Sequence, residues 1–542
     1  MEARALKWWG WGFEDVRLEV ASRPVLWAYL RERLKLDPTT VHAVVPLESV
    51  SVPPSLIEPA DLAELGRAVG EANVSTEDAD RILHAVGRGY KDLVRLRAGR
   101  IERAPDAVVY PEDEGAVRAV LELARRRRVA VVPFGGGTSV VGGVETPSGA
   151  GFAAVLALDL RRMRRLHEID ATSGNATFDA GVRGPVLEEV LNAQRFTFPH
   201  VPQSWEFSTL GGWIATRSAG ALSNRYGTIE DLVVAVRLVS PTRTLDVRAL
   251  PRDAHGPGIR EIVLGSEGAL GVITQATIRV HPMPQVRRFA SRVFRSFADG
   301  LEALRGMAQG DALPDTTYLS DEEETQFALA NAGIAPDGRA RGTTGVTQSL
   351  LLMGFEGTST HVAHARRRAL PLARGSASLG SGPARRWFED RLRLPYLRDS
   401  LLDHGILVDT VETAALWSRL PAVYDAGRKA LQEALWGEGE AGLVLCHTSH
   451  VYHDGASLYF TFLARQRAGD EIGQWERVKD RVTRAFVDAG GALSHHHGIG
   501  ADHAPHLARV LGEDGLVVLR ALKRELDPDG IMNPGKLVPG SG

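Results

Sequence analysis

The run PFGGGTSVVGG, residues 133–143, limits the fold more than any other stretch of the chain. It follows VAVVPF, a short continuous apolar run suited to a buried strand, which is itself preceded by helical spacing over residues 114–128. Three consecutive glycines after such a strand let backbone amides turn toward one centre, a nest suited to a diphosphate. Thr138 and Ser139 add hydroxyl donors. The loop is not a Walker loop, because no Gly-Lys-Ser/Thr closes it, and it is not GxGxxG. Taken alone, a glycine cluster also reads as a tight turn. Two more loops of the same kind change that reading: FSTLGGWIATRSAG at 207–220 and GSEGALGVIT at 265–274, the latter running into a β-branched strand. Together the three describe one long dinucleotide held mostly by backbone. A Rossmann domain would show one loop and an acidic ribose ligand downstream.

Composition sets the outer bounds. At 542 residues the chain has room for about two to four domains. Its 64 basic and 67 acidic residues nearly cancel, which argues against a nucleic-acid partner, since general binders carry a basic excess. The single cysteine, Cys446, excludes an intramolecular disulfide, an iron–sulfur cluster and a thiolate-rich zinc site, and it fits a reducing cytosol. In the apolar run LVLC it reads as a buried small residue. No apolar run approaches the ~20 residues of a transmembrane segment, and MEARALKWWGWGFED lacks the apolar core of a signal peptide. A cytoplasmic protein is expected. The arginine runs at 125–128 and 161–165 read as solvated helix ends. WWGWGFED reads as an arm whose tryptophans fill a groove on another domain.

SHHHGIGADHAPHL, residues 494–507, holds five of the 17 histidines, a density that calls for a chemical reason. In an extended segment His495 and His497 share a side while His496 faces away. Two such imidazoles with His503 or His506 suit a zinc or iron site. Acid/base catalysis and hydrogen-bonded structure are the other readings, and local sequence leaves all three open.

Several motifs read in order narrow the choice. PFGGGTS, QSWEFSTLGGW, TRSAG, NRYGTIEDLVV and GSEGALGVITQATI together resemble the PCMH-type FAD-binding domain of vanillyl-alcohol-oxidase flavoproteins, and within it the alkyldihydroxyacetonephosphate synthase family. KWWGWGFED, YLRD, ASLYFTF and GGALSHHHGIG occur in that family's order, so the resemblance spans residues from about 5 to 537. It implies an α+β fold: a two-lobed FAD-binding domain plus a cap domain with an antiparallel sheet and flanking helices. The expected division is an N-terminal arm and helical segment at 1–100, the FAD domain at 101–285, the cap at 286–500, and a C-terminal segment at 501–542 returning to the FAD domain.

Site roles carried over from the resemblance fall on matching positions. Pro133, Phe134, Gly135, Gly136, Gly137, Thr138 and Ser139 would lie along the pyrophosphate and adenosine. Gln203, Ser204, Trp205, Glu206, Phe207, Ser208 and Thr209 would line the flavin, with Thr216, Arg217, Ser218 and Ala219 and with Glu267, Gly268, Ala269, Leu270, Gly271, Val272 and Ile273. Phe134 stands where some relatives tether FAD through a histidine, so FAD bound non-covalently is expected. Tyr459 matches the family's catalytic tyrosine, and a phenol with a pKa near 10 needs a nearby imidazolium or arginine to ionise near neutral pH. Arg398 matches the arginine that holds the substrate phosphate, a role suited to a forked, permanent cation. His495, His496 and His497 match the family's catalytic histidine motif, which in the synthase holds no metal. His503 and His506 lie off the motif and are expected at the surface.

Two positions depart from the pattern. Tyr318 stands where the family carries a second substrate-binding arginine, and DPDGIMNPGKL, residues 527–537, has the form of D-lactate and glycolate dehydrogenase relatives. Three functions follow. The first is exchange of the acyl group of acyl-dihydroxyacetone phosphate for a fatty alcohol, with the carbon held through flavin N5. The second is FAD-dependent oxidation of a D-2-hydroxy acid. The third is a non-catalytic flavin- or lipid-binding module. The partner is a small-molecule or lipid substrate; the resemblance alone implies a homodimer and leaves peripheral membrane contact open.

Overall fold

The structure, a computed structural model, describes residues 4–37, 41–147, 151–335, 348–436 and 441–538. The chain divides into two compact units: a first of residues 45–220, 227–282 and 496–542, and a second of residues 1–44, 221–226 and 283–495.

The first unit is built on two sheets. In the four-stranded sheet, Ala107–Val109, Val155–Asp159 and Ala130–Phe134 run parallel, and Val74–Ser75 adds an antiparallel edge. The parallel strands read as continuous apolar runs because both faces are covered. Helix Glu114–Arg127 leads into Ala130–Phe134; the Asp113 side chain caps it by accepting from the Ala116 amide at 2.8 Å. Two of its terminal arginines pair with acids, Arg125 with the half-buried Asp529 and Arg127 with the buried Asp61. The five-stranded antiparallel sheet is ordered Leu166–Asp170, Asn175–Asp179, Val272–Arg279, Val233–Val239, Thr244–Asp246.

The second unit is a seven-stranded antiparallel sheet, ordered Ala377–Gly380, Val286–Phe294, Ser349–Gly357, Thr316–Ser320, Gly442–Thr448, Gly455–Arg465, Ile406–Leu416. Helices including Leu420–Trp436 and Glu471–Asp488 pack on its strands. Strand Gly455–Arg465 alternates, with Leu458, Phe460 and Phe462 fully buried on one face and Tyr459 and Thr461 on the other.

The segment expected as one N-terminal piece, 1–100, is split between the units. Leu26, Leu30 and Leu34 of helix Pro24–Leu34 join the core around Leu397, Ile406 and Leu463 of the second unit. The later residues join the first unit, where Val74 pairs with Val109. The boundaries near 285 and 500 fall instead at 282/283 and 495/496. Cys446 is buried. The arm packs within its own unit: Lys7 pairs with Asp399 at 2.7 Å, and the Trp11 amide donates to the same carboxylate at 3.0 Å. Among the described residues no helix is long and apolar enough to cross a membrane.

Candidate active site

The three glycine loops meet in the first unit. A Cβ on Gly136 would fall on the Phe207 carbonyl oxygen, and one on Gly268 would lie 2.9 Å from the Pro133 ring. Gly137 takes a left-handed conformation, φ 66°. The amides of Gly136, Gly137, Thr138 and Ser139 donate to no acceptor among the described residues. Four successive unpaired amides around a left-handed glycine are the donor set a diphosphate requires, so the cradle fits a dinucleotide. The middle loop is fixed by its own hydroxyls. The Trp213 indole donates to Ser208 Oγ at 2.7 Å, Ser208 Oγ donates to the Ser204 carbonyl at 2.9 Å, and Thr209 caps helix Leu210–Ala215. Gln203 to Phe207 form turns. Ser218 contacts His200 Nε2 at 2.6 Å, and Thr216 Oγ1 donates to the Gly212 carbonyl. Arg217 turns its guanidinium to Glu230, at 2.6 Å, and to the Leu264 and Glu261 carbonyls. Ala269, Leu270, Val272 and Ile273 are buried.

Glu267 does more than line a loop. Its carboxylate accepts from the amides of Ile499 at 2.5 Å and Gly500 at 2.6 Å, fixing the turn that follows the histidines. Burial pushes its pKa up to about 7, against the lowering effect of those amides. The C-terminal NPGK run serves the same cradle. Asn533 Nδ2 donates to the carbonyls of Gly143 and Glu267, and Lys536 Nζ donates to the Glu145 carbonyl. Burial lowers Lys536 to about 8.

His496 and His497 belong to this unit, their rings in edge contact at 4.7 Å. The chain bends at each of residues 495–497, so the alternation expected of an extended segment does not apply. His503 and His506 are 5% and 9% exposed, not at the surface as expected; His503 Nδ1 lies 3.0 Å from the Gly498 carbonyl and so closes the turn. His200, which sequence reasoning missed, is fully buried on Ser218 and Trp213, and burial drives it down to about 3, keeping it neutral.

The second unit holds Tyr459, Arg398, Tyr318 and His495. Across its sheet Tyr459 is flanked by Glu412 on strand Ile406–Leu416 and by His447 on strand Gly442–Thr448. Burial, with the Glu412 and Asp409 carboxylates, pushes its phenol up to about 12, although the Thr410 hydroxyl and the Arg398 cation act the other way. Burial thus holds the Tyr459 phenol in its protonated form. Arg398 is paired at 2.9 Å with Asp409, whose other oxygen accepts from the Trp475 indole at 2.6 Å. Glu412 accepts from Ser494 Oγ at 2.6 Å and from the His495 amide at 2.7 Å, and His495 Nε2 meets the Tyr452 hydroxyl at 2.5 Å. His450 stacks on His495 at 5.1 Å. Tyr318, on strand Thr316–Ser320, donates its hydroxyl to Glu324; burial and that carboxylate hold it well above its ordinary range. Asp409, Glu412, Glu324, His447, His450 and Tyr452 were missed from sequence, although acids inside the apolar strand ILVDTVETAAL are a legible signal.

These two units define a flavoprotein of the FAD-linked oxidase type: residues 105–245 match the FAD binding domain, and residues 283–537 match the C-terminal domain of FAD linked oxidases. The chain is 33% identical over 98% of its length to an alkyldihydroxyacetonephosphate synthase of Trypanosoma brucei brucei, covering 92% of it, and 33% identical to that of Dictyostelium discoideum, covering 93%. A solved alkyldihydroxyacetonephosphate synthase structure matches with a TM-score of 0.85 at 30% identity, covering 98% of this chain and 99% of that one. The chain belongs to the alkyldihydroxyacetonephosphate synthase family and is an FAD enzyme.

Proposed function

We propose that the protein exchanges the acyl group of an acyl-dihydroxyacetone phosphate for a fatty alcohol, with non-covalently bound FAD. The observation that carries this reading is the pairing of functions in the second unit. A guanidinium fixed by Asp409 lies within electrostatic reach of a buried, protonated phenol. Arg398 is assigned to the substrate phosphate, which a forked permanent cation grips in a set orientation. Tyr459 is assigned to acid/base work at the substrate carbon, and it enters the cycle as a neutral phenol. His495, held by Glu412 and Tyr452, and His496 and His497, held through the Glu267 turn, are assigned to substrate positioning and proton movement. FAD, held by Gly136 to Ser139 and the adjoining loops, would supply an electrophilic nitrogen and an electron sink. Tyr318 contributes a ring and a hydroxyl engaged with Glu324 in place of a second arginine. The single buried thiol and balanced charge support a cytoplasmic setting, with peripheral membrane contact as the route to a lipid substrate.

The test is the visible spectrum of the anaerobic holoenzyme titrated with acyl-dihydroxyacetone phosphate and then with fatty alcohol. Bleaching that reverses on adding the alcohol is expected. Lasting bleaching by a D-2-hydroxy acid, reversed only by an electron acceptor, would replace this reading with a dehydrogenase.

A further inference from the structure

His447 has no part in that assignment, yet its surroundings hold it more firmly than a filler residue needs. Its strand lies between those of Tyr318 and Tyr459, and its ring stacks on both, at 4.2 Å and 25° on Tyr318 and at 4.8 Å and 21° on Tyr459. Its Nδ1 lies 3.0 and 3.2 Å from the two oxygens of Glu324. Glu324 is placed for this by the first turn of helix Glu322–Asn331, where the Asp321 side chain accepts the Glu324 amide at 2.8 Å. A carboxylate at Nδ1 fixes the ring's tautomer and leaves Nε2 as the working nitrogen. Nε2 has no partner among the described residues, and the side chain is 12% exposed. The neighbouring phenol of Tyr459 is held protonated by burial and does not offer a base to an incoming hydroxyl.

We infer that His447 is the proton carrier for the two oxygen substrates of the exchange, with Glu324 as its positioning residue; the inference rests on the exchange reading above. The reaction needs an acid at the departing carboxylate and then a base at the incoming hydroxyl. When the bond from the dihydroxyacetone carbon to the acyl oxygen breaks, its electron pair leaves with the carboxylate, which takes the Nε2 proton of the His447 imidazolium while Nδ1–H stays hydrogen-bonded to the Glu324 carboxylate. The neutral imidazole then accepts the proton of the fatty alcohol as the alcohol oxygen forms its bond to that carbon. One imidazole is thereby reset in each cycle, with no net change in protons or electrons at the protein.

The test compares His447→Gln with the wild-type holoenzyme, since glutamine keeps a polar group near Nε2 but neither releases nor takes up a proton near neutral pH. Expected are retained flavin colour, a KM for acyl-dihydroxyacetone phosphate within about 3-fold, and a kcat lower by about 100-fold or more. Part of the lost rate returns with a fatty alcohol acidified by fluorine beside the hydroxyl-bearing carbon, a response that a packing defect would not produce. Glu324→Gln lowers kcat by about 10-fold with KM unchanged; this second variant decides the matter should H447Q fail to hold flavin. A kcat near wild type in either variant that holds flavin, or a raised KM alone, overturns the inference and makes His447 a binding or packing residue. A wild-type enzyme that performs no exchange overturns the underlying reading instead, and is told apart because it appears before any substitution.

Discussion

At Tyr459 the hydroxyl and the ring can be separated by one substitution. Tyr459→Phe keeps the stack on His447 and removes the proton, so kcat for exchange should fall by about 10²- to 10⁴-fold with flavin retained. Steady-state rates on the flavin-loaded variant check this, and a loss under 10-fold would remove Tyr459 from acid/base work. Arg398→Lys keeps the charge but loses the fork, so KM for the phosphorylated substrate should rise at least ~10-fold while kcat changes less. Both candidates came from the sequence through the family resemblance, because each sits in a short motif that the resemblance covers. Asp409, Glu412 and Glu324 did not, although each sets the properties of a legible neighbour. Their partners lie on other strands, and local sequence does not reveal which strand will be adjacent.

Among the loops, legibility followed the backbone. The glycine runs foretold a convergent cradle because glycine is needed where chains approach closely; Gly136→Ala would drive a methyl group into the Phe207 carbonyl. That variant should purify folded by circular dichroism but colourless, and a fully yellow protein would contradict the cradle. The histidine loop was misread because periodicity applies only to extended strands, and here the chain bends at three consecutive residues. What shapes it is Glu412 accepting at residues 494 and 495, and Glu267 accepting at residues 499 and 500. Glu267 also makes the first unit sensitive to pH. Its folded pKa of about 7 lies above the unfolded value of 4.5, so the folded state holds the proton more tightly, and stability falls as pH climbs through that window. Glu267→Gln does not titrate. Thermal unfolding should therefore show wild type losing about 2 kcal/mol relative to the variant between about pH 5 and pH 8. A difference that stays constant with pH would mean that the carboxyl is ionised throughout.

At the scale of the whole molecule, the chain changes unit at residues 44/45, 220/221, 226/227, 282/283 and 495/496. Composition carries no trace of such crossings, since each is fixed by long-range pairing. The 1–44 segment shows why it matters. Lys7 and Asp399 form a 2.7 Å pair with side chains only 1% and 7% exposed, and Asp399 follows Arg398 in helix Leu397–Asp403. A buried carboxylate deprived of its cation costs about 3–5 kcal/mol, far more than the pair itself contributes, because desolvation is left uncompensated. Lys7→Met should therefore lower the urea midpoint of the second unit. It should also raise KM for the phosphorylated substrate, since the turn that carries Arg398 loses its anchor. Lys7→Met combined with Asp399→Asn removes both charges and should recover most of the stability. If the double variant also recovers KM, the arm acts on the site through this one pair. If stability returns while KM stays high, the ammonium itself is needed to set the Arg398 turn, and the N-terminal arm is part of the substrate site although none of its residues carries a catalytic motif.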